Sequence, residues 1–204
     1  GARHVACFSS GERLYGNGYR KTIDAIGSRP TEPHGEAVAD YLLYFRRLPK
    51  LFYGAGVPTN ALMARRSTFL ELGGFDASLR RVEDVDFAVR LALEGGHFVG
   101  IPERVLLQHA TEGTEKSPLR NLEAEQVLVD KYRDYLISKR RYYYARHWPL
   151  LRFWHFTGNY PRLALELLGL LLRNPVAVLG HFLTTGPARL CHERRMRKAG
   201  DTGR

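Results

Sequence analysis

The excess positive charge of this 204-residue chain lies entirely in its C-terminal part. Residues 1 to 130 hold 16 Lys and Arg against 17 Asp and Glu, whereas residues 131 to 204 hold 15 against 4. A chain of this length can form one substantial core, or one domain with an appendage, but two full domains would be cramped. We therefore predict a near-neutral domain followed by a basic appendage.

Apolar spacing and the positions of glycine predict an α/β arrangement in the near-neutral part. Strands are expected at 4–9, 59–64, 97–101 and 104–108, with Pro102 separating the last two. Helices are expected from Glu36 to about Leu48, after an N-terminal cap at Ser67, and from Asp84 to Glu94. In the basic part, one long helix is predicted from Leu119 to about Arg146.

Three acids occupy four positions at the start of one predicted helix: Glu83, Asp84 and Asp86. Acids in a first turn complement the helix dipole and cap free N–H groups, so capping alone would account for them. Asp84, Val85 and Asp86 also form a DxD, a motif with which many sugar-nucleotide transferases hold a divalent cation. The preceding residues, LRRVE, are not the apolar strand that such a motif normally follows. The residues alone thus favour capping, with metal binding as the alternative.

Residues 58 to 109 read PTNALMARRSTFLELGGFDASLRRVEDVDFAVRLALEGGHFVGIPERVLLQH. A buried segment ending in ARR is followed by a short helix, GGFD, an ED pair, a helix containing Arg90, glycine, and a strand closing on His109. This ordered set resembles the acceptor-side half of family 2 glycosyltransferases. The resemblance implies a partial GT-A-like (Rossmann-like) α/β domain over residues 1–118, followed by a basic, mostly helical segment over residues 119–204.

The resemblance also assigns roles to the ED pair. The Asp of that pair is the general base in the family, which here is Asp84, and Glu83 would support it. A general base takes the proton of an acceptor hydroxyl while that hydroxyl attacks the anomeric carbon of a donor sugar. The implied reaction is therefore sugar transfer with inversion, while Asp86 would only complete the helix start.

Four further residues match the acceptor side of the family pattern: Gly73, Gly74, Asn60 and Arg66. A structural alternative stands beside this implied role. Asn60 could satisfy backbone groups of its loop, and the arginine pair at 65 and 66 could lie in solvent or pair with Glu71 or Asp76.

The nucleotide-binding strands and the metal-holding DxD of the family lie upstream of the region present here. The resemblance therefore implies a nucleotide-sugar donor, a saccharide or lipid-linked acceptor, and Mg²⁺ or Mn²⁺ held mainly by residues outside this chain. His109 stands where some relatives direct a His toward the metal or diphosphate, although a lone His at a strand end is more often a hydrogen-bonding residue. We expect this chain to be a fragment that is inactive by itself.

The basic part predicts contact with an anionic membrane surface. LALELLGLLL, between Arg162 and Arg173, is too short for the ~20 residues that span a bilayer, but it can lie on one. Trp148, Trp154 and Tyr160 suit headgroup depth, and the cations suit anionic lipid. The alternatives are a helical cap with a solvated basic face and, less favoured, nucleic-acid binding through RRMRK and KRRYYYARHW.

Cysteine use and the N-terminus favour a cytoplasmic protein. Cys7 and Cys191 are far apart and lie in no metal-ligand spacing, and the first residues do not have the apolar run of a signal peptide. We therefore expect attachment at the cytoplasmic face of the membrane. The competing interpretation of the whole chain is a non-catalytic basic module that binds a membrane surface or nucleic acid, with acids that only cap a helix.

Overall fold

The computed structural model describes residues 2–110 and 117–201, and these form two compact units. The first comprises Gly1–Tyr15 and Arg20–Ala110, and the second comprises Gly16–Tyr19 and Thr111–Arg204. The first unit contains a four-stranded sheet with helices, and the described part of the second is mainly helical. The predicted mixed α/β class is confirmed.

The sheet of the first unit is built around one long strand. Strand β1 (Val5–Leu14) pairs in parallel with β4 (His97–His109) along its whole length. Its other edge is shared by two short antiparallel strands, β3 (Leu62–Ala64) beside its first half and β2 (Arg20–Ile23) beside its second. Alternate residues are buried over the first half of β1, as expected for a strand with one face on a core.

Three helices accompany this sheet: α1 (Glu36–Tyr44), α2 (Arg66–Glu71) and α3 (Glu83–Leu93). Helix α3 buries Phe87, Val89 and Leu91, and α1 buries Val38 and Leu43, because each has apolar residues on the face toward the core. Helices α1 and α3 pack against each other. Their contact places the C-terminal end of α1 near the first turn of α3.

Four local predictions for this unit need correction. Helix α1 ends at Tyr44 rather than near Leu48, and residues 59–61 form a 3-10 turn ahead of the three-residue strand β3. Helix α2 begins at Arg66 after an N-cap at Arg65, so Ser67 is not its cap. The two strands predicted around Pro102 are one strand, because Pro102 lies in a bulge where Ser9 pairs with Ile101 but Ser10 pairs with Arg104.

The second unit contains five helices in its described residues: α4 (Pro118–Lys131), α5 (Arg133–Ser138), α6 (Tyr142–Phe156), α7 (Tyr160–Arg173) and α8 (Pro175–Asp201). The single helix predicted from Leu119 to Arg146 is therefore wrong. The chain turns between α5 and α6 at Arg140, which takes a left-handed conformation with φ of 56°. The side chains of Arg197 and Lys198, in the predicted basic run, lie outside the described part.

Candidate active site

The GGFD turn is held by one arginine of α3. Gly73 and Gly74 have φ of 77° and 67°, in the region that glycine adopts most easily. The guanidinium of Arg90 donates hydrogen bonds to the carbonyl oxygens of Leu72 and Gly74, the latter at 2.7 Å. The turn is therefore fixed directly to the helix that carries the ED pair.

Asp86 forms an ion pair with the same arginine, Arg90. Its side chain is fully buried, and its Oδ2 accepts a hydrogen bond from Nε of Arg90 at 2.9 Å. A buried carboxylate with a cationic partner one helical turn away is a structural pair, since each charge compensates the other. Asp86 does lie in the first turn, as predicted for a helix-start acid, but its observed partner is Arg90.

Asp84 has different surroundings from those of Asp86. The backbone N–H of Val85 donates to its Oδ1 at 2.8 Å. Burial raises the pKa of the Asp84 carboxyl above its ordinary value, and the negative charge of Glu83 raises it further. Hydrogen bonds from the backbone N–H groups of Val85 and Thr59 act in the opposite direction without cancelling the rise in pKa.

Asp84 is one of the residues that line a cavity of about 300 Å³. Helix α1 and its C-cap supply Tyr41, Leu42 and Phe45, the following loop supplies residues 55–58, and α3 supplies Asp84 and Val85. Among these described lining residues, Asp84 alone carries a charge. A mostly apolar cavity with a few polar groups, here including one charged group, is the usual form of a small-molecule site.

Aromatic rings form one wall of this cavity. The ring of Tyr41 lies 5.4 Å from that of Phe45 and 4.3 Å from that of the buried Tyr53. The guanidinium of Arg47 lies 4.7 Å from the Phe45 ring centre, so a cation stands beside the same wall. The sequence interpretation missed Tyr41, Phe45 and Arg47 as site residues, because helical spacing assigns them only to an amphipathic helix.

The backbone is strained at a residue that lines the cavity and at a residue two positions before Asp84. Phe45, the C-cap of α1, has φ of 61°, and Val82, the N-cap of α3, has φ of 59°. Such conformations cost about 1–3 kcal/mol each in a non-glycine residue, most for a β-branched one such as valine. Strain of this kind concentrates at functional sites, where surrounding packing maintains it. Both strained residues adjoin the cavity or the acid that lines it.

The other predicted acceptor-side residues are not among the described residues that line this cavity, although Asn60 directly follows Thr59, whose backbone N–H bonds to Asp84. Asn60 and Arg66 are exposed, and neither they nor Gly73 and Gly74 are among the cavity's described lining residues. Glu71, offered as a partner for the arginines, forms an ion pair with Arg3 at 2.9 Å. The structure thus brings Asp84 to the cavity with Glu83 next to it in the chain, while the two glycines act at a distance, through the turn that Arg90 holds.

His109 ends strand β4 as an exposed side chain, opposite Leu14 in the sheet register. Within residues 2–110 and 117–201, no group of three or more His, Cys, Asp or Glu side chains is arranged to hold a metal ion. The described residues therefore do not by themselves fit the divalent cation that the resemblance implies.

Comparisons with protein-family models, with curated proteins and with solved structures found no match to this chain.

The raised pKa of Asp84 can be tested in the isolated chain. Replacing Glu83 by Gln removes the neighbouring charge, so the Asp84 carboxyl should titrate at lower pH than in the unmodified protein. Carboxyl ¹³C chemical shifts recorded against pH measure this directly. The matched control is Glu94→Gln at the exposed far end of α3, which should leave the Asp84 titration in place. An unchanged titration in Glu83→Gln would contradict the contribution assigned to the Glu83 charge and leave burial as the cause.

Proposed function

We propose that this chain is the acceptor-binding part of an inverting glycosyltransferase of GT-A-like architecture in which Asp84 is the general base. The observation that carries the proposal is the cavity of about 300 Å³, which is lined both by a carboxylate of raised pKa and by two aromatic rings. The resemblance of residues 58–109 to family 2 glycosyltransferases supplies the reaction type. The cavity and the resemblance converge on the same residue.

The proposed reaction balances as a single displacement. An acceptor hydroxyl oxygen forms a bond to the anomeric carbon of the donor, and the hydroxyl proton moves to the Asp84 carboxylate. The bond from the anomeric carbon to the diphosphate oxygen breaks, and the nucleoside diphosphate leaves with the electron pair. Attack from the face opposite the leaving group inverts the anomeric configuration. A carboxylate with a raised pKa accepts a proton more readily than an ordinary one, which suits this step.

The surroundings of Asp84 suit the positioning that this step requires. Its backbone belongs to the rigid start of α3, and the adjoining GGFD turn is tied to that helix by Arg90. A base held in a fixed place raises the rate by reducing the freedom lost in the transition state. Pyranose rings have apolar faces of C–H groups, which can pack on the rings of Tyr41 and Phe45. We propose this contact as the main acceptor-binding interaction.

The donor site belongs, in this proposal, to residues upstream of Gly1. A nucleotide-binding half would supply the donor site and hold Mg²⁺ or Mn²⁺ against the diphosphate. No step is assigned to a metal held by the described residues, since they contain no fitting group. His109, exposed at the end of β4, is proposed only as a contributor to a site completed by other residues.

The proposal is tested first by the gene and then by its product. The reading frame ahead of Gly1 should encode about 100 further residues with βαβ patterning and a DxD at a strand end. The protein produced from that frame should release nucleoside diphosphate from a UDP-, GDP- or dTDP-sugar in the presence of a saccharide or lipid-linked acceptor. Nuclear magnetic resonance of the product should show an inverted anomeric centre.

Two results would reject this function. A start codon immediately ahead of Gly1 would leave no donor half, and a product with retained configuration would exclude the single displacement. In the first case the non-catalytic basic module becomes the better account of the chain.

A further inference from the structure

Helix α7 exposes a stripe of leucines. Leu165, Leu168 and Leu172 recur at a spacing of three and four residues, and each is exposed by 55 to 76%. This spacing places them on one face of the helix. The opposite face carries the fully buried Leu170. Helix α7 is thus apolar on both sides, and the described structure covers only one of them.

Helix α8 repeats the pattern over its first four turns. Val176, Leu179, Leu183 and Leu190 share one face and are exposed by 55 to 81%, whereas Val178 is fully buried on the other. Residues 174 to 188 contain no Asp, Glu, Lys or Arg. An exposed apolar face of this extent normally marks a surface that meets a partner. We name the residues of the two helices together the leucine face: Leu165, Leu168, Leu172, Val176, Leu179, Leu183 and Leu190.

The buried sides of both helices are firmly held, so the leucine face is not a core left open. His181 of α8 stacks on Trp148 of α6 with ring centres 3.8 Å apart, and its Nδ1 lies 2.7 Å from the hydroxyl of Tyr144. The corner between α7 and α8 is the buried Asn174, whose Oδ1 accepts a hydrogen bond from Arg141 at 3.0 Å. These contacts fix which side of each helix faces outward.

The charges around the leucine face are those that an anionic surface would attract. Residues 131–204 carry a balance of +11. Arg162 and Arg173 flank α7, each over an aromatic ring, at 4.7 Å from Trp154 and 4.1 Å from Tyr143. The acid of α7, Glu166, is not exposed and lies 2.8 Å from His147. Cations and rings therefore border the apolar residues without an exposed acid on α7.

The lengths of the apolar segments in α7 and α8 favour lying on a membrane surface over crossing it. No single helix in the described residues is long and apolar enough to cross, and Tyr160–Arg173 with Pro175–Met196 passes such a test only as a pair bent by 119°. The 14 residues of α7 extend for about 21 Å, and the uncharged start of α8, residues 175–188, extends for about the same length. Each apolar segment is therefore shorter than the ~30 Å hydrocarbon layer. Two helix axes that meet at a corner define one plane, so both helices can lie parallel to a flat surface.

We propose that the leucine face binds the surface of an anionic lipid bilayer, with α7 and α8 lying in the interface and the arginines on lipid headgroups. This proposal does not depend on the chemistry at Asp84. A second copy of this chain would bring two strongly cationic parts together, which the charge disfavours. Nucleic acid would pair with the cations, but its phosphate backbone offers no apolar surface on which the exposed leucines could be buried. An anionic lipid surface satisfies both features at once.

The test is flotation of the 204-residue chain with phosphatidylcholine vesicles, with and without phosphatidylglycerol. Binding should require phosphatidylglycerol and weaken between about 0.1 M and about 1 M salt, as the Debye length falls from about 10 Å to about 3 Å. The double variant Leu168→Glu with Leu183→Glu should bind at least about tenfold more weakly, because two leucines that the bilayer would bury are lost. Both positions are exposed, so the fold should persist, as circular dichroism can verify.

The matched control is Leu119→Glu with Ile137→Glu in the same unit. These positions lie in α4 and α5, which carry none of the residues of the leucine face, and are exposed by 52% and 51%. The control adds the same two negative charges, so it measures the effect of charge alone, and its binding should fall less than about twofold. Equal losses in both variants would overturn the leucine face as the contact. Binding to phosphatidylcholine alone, or salt-resistant self-association with no vesicle binding, would overturn the anionic bilayer as the partner.

Discussion

Replacing Asp84 by Asn should abolish glycosyl transfer and, in the same protein, increase stability. Asparagine has nearly the same shape as aspartate but cannot accept the hydroxyl proton. General-base catalysis contributes about 10²–10⁴ in rate, so kcat should fall by at least about a hundredfold with little change in donor binding. The measurement is release of nucleoside diphosphate by the protein that includes the residues encoded ahead of Gly1.

The control for this loss is Glu94→Gln, the same acid-to-amide change on the same helix but at its exposed C-cap. It should retain nearly full transfer activity. If Asp84→Asn keeps most of its activity while Glu94→Gln behaves as expected, Asp84 is not the base.

The stability gain follows from the sign of the pKa shift. The folded protein raises the pKa of Asp84 above the unfolded value, so folding favours the protonated form and disfavours the ionised one. At neutral pH the ionised carboxylate therefore lowers the free energy of unfolding, and asparagine removes this cost. The gain should be complete above the folded pKa and should disappear as the pH falls through it toward 3.8. Hydrogen exchange of α3 amides in the 204-residue chain measures the gain without any assay of activity.

The sequence located α3 well because its signals are local. The prediction of a helix from Asp84 to Glu94 is confirmed to within one residue at each end, by Glu83–Leu93. Acids in the first turn, apolar residues at helical spacing and Gly95 with Gly96 beyond the end all lie within a few residues of what they determine. The same locality makes the ED pair recognisable in the amino-acid sequence alone.

The cavity could not be predicted from the sequence, because it depends on the end of α1 at Tyr44, which no residue in the sequence marks. No glycine stands at position 45, yet Phe45 adopts a left-handed conformation and turns the chain there. A buried carboxylate supports that turn, since Asp40 accepts a hydrogen bond from Arg46 at 2.9 Å. Such a pairing is visible only in three dimensions. Helical periodicity alone extends the prediction to Leu48 and conceals the aromatic wall.

The single strand β4 shows a second limit of local signals. Pro102 cannot donate to a sheet ladder, which is why the sequence predicts two strands around it. In the structure the register shifts at this point, and the hydroxyl of Ser10 donates to the carbonyl oxygen of Ile101 at 2.7 Å. The partner strand β1 thus absorbs the proline in a bulge. Nothing within residues 97–108 could have indicated this, since the compensating side chain lies 91 positions away.

Replacing Asp86 by Asn should have the opposite effect on stability to the same change at Asp84. Asp86 is fully buried and is paired with Arg90, which is 22% exposed. Removing one partner of a buried pair leaves the other charge uncompensated and costs about 3 kcal/mol in the free energy of unfolding. We expect a value at the low end of the range for buried ion pairs, because Arg90 retains some contact with water. Both tryptophans lie in the second unit, so hydrogen exchange of α3 amides is the appropriate measurement.

The control is Arg20→Ala, which breaks the exposed Arg20–Glu12 pair of the same sheet and should cost less than about 1 kcal/mol. The loss in the free energy of unfolding for Arg90→Lys should fall between those for Asp86→Asn and Arg20→Ala. An ammonium group cannot donate at once to the Asp86 carboxylate and to the carbonyl oxygens of Leu72 and Gly74, which the planar guanidinium does. If Asp84→Asn and Asp86→Asn changed the free energy of unfolding in the same direction, the two carboxylates would have similar environments. The assignment of different roles to Asp84 and Asp86 would then be wrong. Changes in opposite directions would show that Asp86 stabilises the turn and α3 while Asp84 lowers the stability of the same helix. Such a loss of stability is expected where a fold holds an ionised base in a partly buried cavity.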